Sequence, residues 1–143
     1  MQKLFVSAFM CFITLSINAQ YVDLGLPSGT KWKNINETSQ YSYDEAMKKF
    51  NEALPTKAQW DELTDYCEWT WTGRGYKVIG LNNKFIFLPT IGIENDEQYN
   101  YGCYWSSLSN TESAAYLYFN STEIRINVSR RSAEYSIRVV QKD

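Results

Sequence analysis

The spacing of apolar residues changes several times along the chain, and each spacing predicts a different element. Near the start, Val22, Leu24 and Leu26 alternate with polar or small residues up to a Pro-Ser-Gly turn. A period of two is typical of a strand with one buried face, and the Pro-Ser-Gly sequence favours a turn. Residues 21–34 therefore predict two short extended segments around that turn.

Two helices are predicted next, each from a capping sequence followed by apolar residues at helical spacing. The first, residues 42–53, opens with the pattern S-x-x-E, and the second, residues 56–66, opens with T-x-x-Q. In such a box the first and fourth residues satisfy each other's free backbone donors. Trp60, Leu63 and Cys67 share one face of the second helix, so we expect Trp60 in the core.

Period-two alternation returns after the second helix and continues to the end of the chain. An Asn82-Asn83 pair has the composition of a hairpin connection, whereas residues 90–103 are polar and acidic and predict a surface loop. Strands and helices without regular β-α-β alternation predict an α+β fold with a mainly antiparallel, twisted sheet of short strands. The predicted strands are residues 69–72, 76–79, 84–88, 115–119, 124–128 and 135–140.

Residues 1–19 have the pattern of a secretory signal peptide. Lys3 precedes an apolar run of about 12 residues, and a polar-to-small segment ending in Ala19 follows it. The run is shorter than the roughly 20 residues that a membrane-spanning helix needs. We therefore expect an exported protein, in the periplasm, on the outer-membrane surface or secreted, whose residues 20–143 form one domain without a membrane span. An N-terminal core helix is the alternative.

Composition favours recognition over catalysis. The chain contains five Trp and eleven Tyr, no His, and a net charge of −2. Tyr and Trp combine an apolar body with a polar tip, which suits binding surfaces. Without His there is no Ser-His or Cys-His pair to activate a nucleophile, so we expect no enzymatic activity. Without a basic stripe, nucleic acid is not an expected partner.

Two cysteines and one acidic segment are the remaining candidates for covalent or metal chemistry. Cys67 and Cys103 can form a disulfide in an oxidising compartment, and two separate thiols are the alternative. Glu94, Asp96 and Glu97 offer oxygen ligands of the kind that calcium prefers. Because they lack the spacing of a dedicated calcium loop, a solvated acidic loop is favoured and no cofactor is expected.

Seven short motifs occur in the order found in one known family. Together they resemble the major paralogous domain proteins first named from Fibrobacter succinogenes and abundant in gut Bacteroidetes. The resemblance covers Tyr21 to about Gln141 and implies a C-type-lectin-like fold related to the formylglycine-generating-enzyme architecture. Similar domains form the ligand-binding proteins that retroelements diversify, in which the segment matching residues 104–140 carries the binding face. The motifs are YVDLGLPSGTKW (21–32), LPTKAQWDEL (54–63), CEWTWTGRGYKVIG (67–80), FIFLPTIG (85–92), YWSS (104–107), AYLYF (115–119) and SIRVV (136–140).

A binding face on the C-terminal sheet follows from this resemblance and from the alternation in residues 115–119. If Leu117 and Phe119 face the core, then Tyr116 and Tyr118 face the other side. There they either contact a ligand or cover a second layer of the fold. The candidate ligand-binding residues are Asn110, Glu112, Tyr116, Tyr118, Asn120, Arg125, Asn127, Arg130 and Arg131.

The function expected from the sequence is recognition of a protein or glycan outside the cytoplasm. The alternative is a structural or accessory subunit of a cell-surface assembly. Trp69, Trp71 and Trp105 are expected to pack in the core. Arg138 is expected to be structural, paired with a carboxylate or with backbone carbonyls.

Overall fold

The computed structural model describes residues 20–142 and contains two α-helices and eleven strands in that range. The signal-peptide prediction concerns residues 1–19, which lie outside the described residues. In chain order the elements are β1 (Tyr21–Asp23), β2 (Lys31–Lys33), α1 (Tyr43–Phe50), a 3₁₀ turn (Asn51–Ala53), α2 (Lys57–Tyr66), β3 (Glu68–Trp71), β4 (Gly75–Ile79), β5 (Phe85–Pro89), β6 (Gly92–Glu94), β7 (Glu97–Tyr99), β8 (Gly102–Ser109), β9 (Ser113–Phe119), β10 (Ile124–Arg130) and β11 (Val140–Gln141).

The strands of residues 20–142 form four small antiparallel sheets. Strand β2 lies between β1 and β11, β4 lies between β3 and β5, and β9 lies between β8 and β10, while β6 and β7 pair as a hairpin. A parallel bridge between Tyr104 and Ser136 joins β8 to the segment before β11. The predicted α+β class with mainly antiparallel short strands is confirmed.

Helix α1 begins where the sequence predicts and ends earlier. The hydroxyl of Ser42 accepts a hydrogen bond from the backbone N–H of Glu45 at 3.3 Å, which caps the first turn. Asn51 then takes a φ of +43°, and its N–H closes the helix on the carbonyl of Met47. Asn tolerates this left-handed region better than most residues. The apolar stripe predicted to continue in a helix to Ala53 therefore passes into a 3₁₀ turn.

Helix α2 carries a complete capping box. The Thr56 hydroxyl accepts from the Gln59 N–H at 3.1 Å, and the Gln59 side chain accepts from the Thr56 N–H at 2.9 Å. The predicted inner face is buried, with Trp60 and Leu63 fully inaccessible. The Trp60 ring packs on Trp32 of β2 at 4.6 Å between centroids. Both the start of this helix and its core face are confirmed.

Two hydrophobic clusters lie on opposite sides of the β8–β9–β10 sheet. The first contains Trp32 and Trp60 together with Leu117 and Phe119 from one side of β9. The second contains Tyr116 from the other side of β9 and is closed by helix α1 and the segment before β11. Because successive side chains of a strand alternate, β9 is buried on both faces.

The segment predicted as a surface loop, residues 90–103, is largely strand. Strands β6 and β7 form a hairpin, and Cys103 is already buried in β8. The prediction was wrong because the turn residues Asn95 and Asp96 both take positive φ, of 50° and 62°. Two such residues make a tight hairpin connection without the glycine that usually signals one.

The predicted last strand, residues 135–140, is interrupted. Ser136 exchanges backbone bonds with β8, donating to the Cys103 carbonyl and accepting from the Trp105 N–H. The carbonyls of Ile137 and Val139 then accept from the segment around Glu37 and β2. Since the backbone changes partner between these points, only Val140–Gln141 forms a regular strand.

The tryptophans occupy structural positions, as predicted. Trp105 is fully buried, and its indole N–H donates to the Tyr41 carbonyl at 2.7 Å. Trp69 and Trp71 are half-buried and pack edge-on against Tyr76 at 5.5 and 5.1 Å. Among residues 20–142, no helix has the length and apolar character needed to cross a membrane.

Candidate functional site

The pairing of β9 with β10 brings several predicted binding residues to one face of the sheet. Arg125 lies directly opposite Tyr118, and Asn127 lies directly opposite Tyr116. Directly opposed residues in an antiparallel pair project from the same face. The predicted grouping of these four side chains is therefore present, although their exposure differs.

Tyr116 belongs to the second hydrophobic cluster and is only 9% exposed. Its ring lies between Trp105, at 6.2 Å, and Tyr135, at 4.6 Å. Burial raises the pKa of its phenol to about 12, with Tyr135 nearby adding to the effect. Of the two alternatives for this side chain, cover for a second layer is the one observed, and Tyr116 is not available as a ligand contact.

Tyr118 is half-exposed and stands in a continuous row of aromatic rings. Its ring stacks on Tyr101 at 6.0 Å and 29°, and Tyr101 meets Tyr99 edge-on at 5.7 Å. The Arg125 guanidinium lies over the other end of the row, 5.1 Å from the Tyr118 centroid. We call Tyr99, Tyr101, Tyr118 and Arg125 the tyrosine row.

Two members of the tyrosine row were missed by the sequence reasoning. Tyr99 and Tyr101 fell in the segment predicted as a loop, yet each is half-buried and in ring contact with its neighbour. Their spacing gives a signal, because Tyr99, Tyr101 and Cys103 alternate as strand residues do. Burial also raises the pKa of Tyr101.

Asn120 and Asn127 are largely committed to the local backbone. The Asn120 side-chain oxygen accepts from the N–H groups of Thr122 and Glu123 at 2.9 and 3.0 Å, which holds the turn between β9 and β10. Its amide nitrogen donates to the Tyr118 hydroxyl at 3.3 Å. The Asn127 oxygen accepts from the Val128 N–H at 2.9 Å. Asn120 therefore supports the row through Tyr118, and Asn127 is bonded within its own strand.

The other predicted residues gather at the far end of β9. Glu112, Arg130 and Arg131 line an open hollow beside the N-terminus of α1, and Asn110 is hydrogen-bonded to Arg131. Strand β9 covers six residue steps from Ser113 to Phe119, which is roughly 20 Å at the usual strand rise. The predicted residues near the two ends of β9 therefore do not form one compact group.

Asn110 and Arg131 at this end of β9 already have hydrogen-bond partners within the fold. The Asn110 side-chain oxygen accepts from the N–H groups of Glu112 and Ser113 at 3.0 and 2.9 Å. Arg131 donates to the Asn110 carbonyl at 2.8 Å and to the Asp44 carboxylate, so it ties the loop to α1. Glu112 and Arg130 stay exposed.

The two cysteines are not paired with each other, and the acidic residues 94–97 are not gathered into one group. Both thiols are free, with Cys67 against the first hydrophobic cluster and Cys103 inside the second, on the other side of the sheet. Burial raises the pKa of Cys67 to about 11 and that of Cys103 to about 12. Within residues 20–142, no three His, Cys, Asp or Glu side chains are grouped to hold a metal ion, those of residues 94–97 included.

Comparison of the chain with protein-family models finds no match. None of the curated proteins matches it. No solved structure matches it either.

Proposed function

We propose that this chain is an exported, non-enzymatic binding protein that recognises a protein or glycan outside the cytoplasm. The tyrosine row carries the proposal. Three half-buried tyrosines in mutual contact end at an arginine that lies over the last ring and is itself 54% exposed at its side chain. An aromatic surface beside a hydrogen-bonding cation is the composition typical of binding hot spots.

The geometry of the row supports binding because its rings are already ordered. Tyr101 lies between Tyr99 and Tyr118, so each ring is restrained by a neighbour before any ligand arrives. A tyrosine has few rotatable bonds, and restraint lowers the entropy lost on binding. The phenol and guanidinium groups at the edges of the row supply hydrogen-bond donors for a polar protein surface or for sugar hydroxyls.

The proposal extends to fold lineage and compartment. We assign the chain to the C-type-lectin-like fold and to the major paralogous domain family on the seven ordered motifs of residues 21–140. The α+β architecture with small antiparallel sheets supports this assignment at the level of class. Export is assigned on the composition of residues 1–19.

The test begins with a glycan and protein array probed with residues 20–143, followed by variants of the row. The double variant Tyr118→Ala, Arg125→Ala is expected to lose about tenfold or more in affinity for the target that the array identifies. Tyr66→Ala is the matched control, because Tyr66 is an exposed tyrosine on α2. Equal affinity of the double variant and the control would overturn the assignment of the row.

An accessory subunit of a surface assembly is the second candidate, and a different patch favours it. Leu108 and Val128 are 54% and 65% exposed. Both line a shallow hollow near the start of β9 that is distinct from the hollow beside α1. Paired apolar side chains left open to solvent suit burial against a protein neighbour. Light scattering and crosslinking of the native chain separate the two candidates. A stoichiometric complex that is lost in the double variant Leu108→Ser, Val128→Ser supports the subunit. A monomer supports the binding protein.

A further inference from the structure

Another cavity is lined by residues outside the β8–β9–β10 sheet, and it is independent of the proposed function. It has a volume of about 440 Å³ and opens between the turn that joins β3 to β4 and the β6–β7 hairpin. Small-molecule sites commonly occupy about 300–1,000 Å³. The cavity is therefore large enough to hold a small ligand or one terminal residue of a peptide.

Part of the wall of this cavity is apolar, and that part includes an unusually exposed side chain. Phe87 and Pro89 contribute from β5, and Ile93 contributes from β6 with 75% of its surface open to solvent. Ile93 and Gln98 are directly opposed in the hairpin, so both face the cavity, whereas Tyr99 belongs to the opposite face. The hairpin thus separates the cavity from the tyrosine row.

Arg74 stands at the rim on a backbone that is held in place. Its carbonyl accepts from the Thr90 N–H at 2.9 Å. Gly75 follows with a φ of +153°, and a Cβ there would lie 2.2 Å from the Leu88 carbonyl oxygen, so the turn rests directly on β5. The Thr72 N–H donates to the Gly75 carbonyl at 3.0 Å and closes the turn. These contacts fix the backbone of Arg74 at the rim of the cavity, and its side chain is exposed.

The side chain of Arg74 has no partner in the part of the chain that the structure describes. No hydrogen bond, ion pair or ring contact involves its guanidinium, whereas Arg125, Arg131 and Arg138 each have one or more. A guanidinium presents parallel donors that match a carboxylate in two hydrogen bonds. Thr90 is half-buried and lines the same cavity.

We propose that this cavity binds a carboxylate that carries an aromatic or branched aliphatic group. The carboxylate pairs with the Arg74 guanidinium, and the apolar group covers Phe87, Pro89 and Ile93. Burying the exposed Ile93 surface adds a hydrophobic contribution to the charged contact. Such a group occurs both as a free organic acid and as the C-terminal residue of a peptide.

The experiment uses N-acetyl-phenylalanine as the acid and N-acetyl-phenylalaninamide as its uncharged match. Saturable shifts of the Ile93 methyl signal in a methyl-resolved NMR titration are expected with the acid, and at least about tenfold weaker binding is expected with the amide. Arg74→Gln should weaken acid binding by about tenfold or more without lowering the melting temperature, because its side chain makes no contact that the fold needs. Arg125→Gln, in the tyrosine row, is the control and should bind the acid like the unmodified chain.

Three results would each overturn the proposal: no saturable shift with the acid, equal binding of acid and amide, or unchanged binding by Arg74→Gln. A hexapeptide ending in phenylalanine, with its carboxyl group free or amidated, distinguishes the two ligand sources. Tighter binding of the free peptide than of the acid identifies a chain terminus as the ligand, and equal binding identifies the terminal acid group alone. Both results leave the carboxylate assignment standing. Loss of array binding in the tyrosine-row variants is a separate observation, so the two sites fail separately.

Discussion

Two regions of the molecule place an arginine beside a tyrosine and use the pair in opposite ways. In the first, Arg138 is 1% exposed and lies next to the fully buried Tyr104. In the second, Arg125 lies over the half-exposed Tyr118. The residue types are the same, and the difference is whether the surrounding chain satisfies them.

In the buried region each of the three guanidinium nitrogens of Arg138 donates a hydrogen bond. Arg138 donates to the carbonyls of Lys33 and Phe87 at 3.1 and 2.5 Å and to the Asn36 side-chain oxygen at 2.8 Å. Asn36 donates in turn to the Tyr104 hydroxyl at 2.9 Å. Of the two predicted partners for Arg138, backbone carbonyls are the ones observed. We call these residues the arginine joint, because they connect β2, β5 and the segment before β11.

In the exposed region the Arg125 guanidinium has few partners within the protein. Arg125 has one ion pair, to Glu123 at 3.6 Å, and its contact with Tyr118 is made through the ring face. Surface pairs of this kind contribute about 0–1 kcal/mol. The buried pair therefore supports the fold, whereas the exposed pair keeps a guanidinium and a ring edge open to solvent, as the proposed recognition requires.

The largest expected effect comes from breaking the arginine joint. Arg138→Leu should lower the free energy of unfolding by about 4 kcal/mol, because buried carbonyls lose a charged donor and stay without a partner. Urea denaturation of the variant measures the loss. Arg138→Lys is the control that retains the charge without the planar guanidinium. Its free energy of unfolding should lie between those of Arg138→Leu and the unmodified protein. A loss below about 1 kcal/mol for Arg138→Leu would show that the joint does not carry stability.

A smaller loss is expected when a single hydroxyl is removed from the same joint. Tyr104→Phe deletes the donor to the Pro89 carbonyl at 2.7 Å and the acceptor of the Asn36 amide. We expect a loss of about 2 kcal/mol in urea denaturation. Ser106→Ala is the matched control, because the buried Ser106 hydroxyl has no partner within residues 20–142. Its removal should be neutral or stabilising, and a loss equal to that of Tyr104→Phe would contradict this account.

The joint should also give the protein a characteristic alkaline instability. Burial raises the pKa of Tyr104 from 10.0 to about 12, so the folded state holds the phenol neutral after the unfolded state has ionised. The contribution of Tyr104 to the free energy of unfolding is then unchanged below about pH 10 and falls as pH rises toward 12. At pH 11 the loss from this group is about 1.4 kcal/mol. Tyr104→Phe should show a shallower decline over that range, and parallel declines of the two proteins would assign the effect elsewhere.

Removing the Arg131 side chain, near the start of β9, should cause an intermediate loss of stability. Arg131 is partly exposed and binds both Asp44 and the Asn110 carbonyl. Arg131→Ala is expected to cost about 1 kcal/mol, reduced at high salt because the carboxylate pair is open to solvent. Thermal unfolding at low and high salt measures this, with Arg130→Ala as the neighbouring control. If the two variants melt at the same temperature, Arg131 is not the tie between the loop and α1.

The sequence predicts elements well where local chemistry decides them. The T-x-x-Q box of residues 56–59 and the alternation of residues 115–119 are both local patterns, and the structure confirms the helix and the strand that they predict. It predicts less well where packing partners decide. Whether Tyr116 is core or surface depends on Tyr135, which is 19 residues away and covers it. The alternation of Tyr99, Tyr101 and Cys103 signals a strand, but the stacking of Tyr101 on Tyr118 depends on tertiary packing that local spacing does not reveal.

The smallest effect on stability is expected at the tyrosine row, and it completes the comparison. The double variant Tyr118→Ala, Arg125→Ala should lower the free energy of unfolding only slightly. Loss of the surface ion pair contributes no more than about 0.5 kcal/mol, and loss of the stacked ring adds a modest amount. Tyr116→Ala is the matched variant, because Tyr116 lies two residues before Tyr118 on the same face of β9. Its ring is buried, so we expect a loss of about 3 kcal/mol in the free energy of unfolding. Urea denaturation of the two proteins tests the ordering directly. If the double variant were the less stable of the two, the row would belong to the core, and its rings would not be available for recognition.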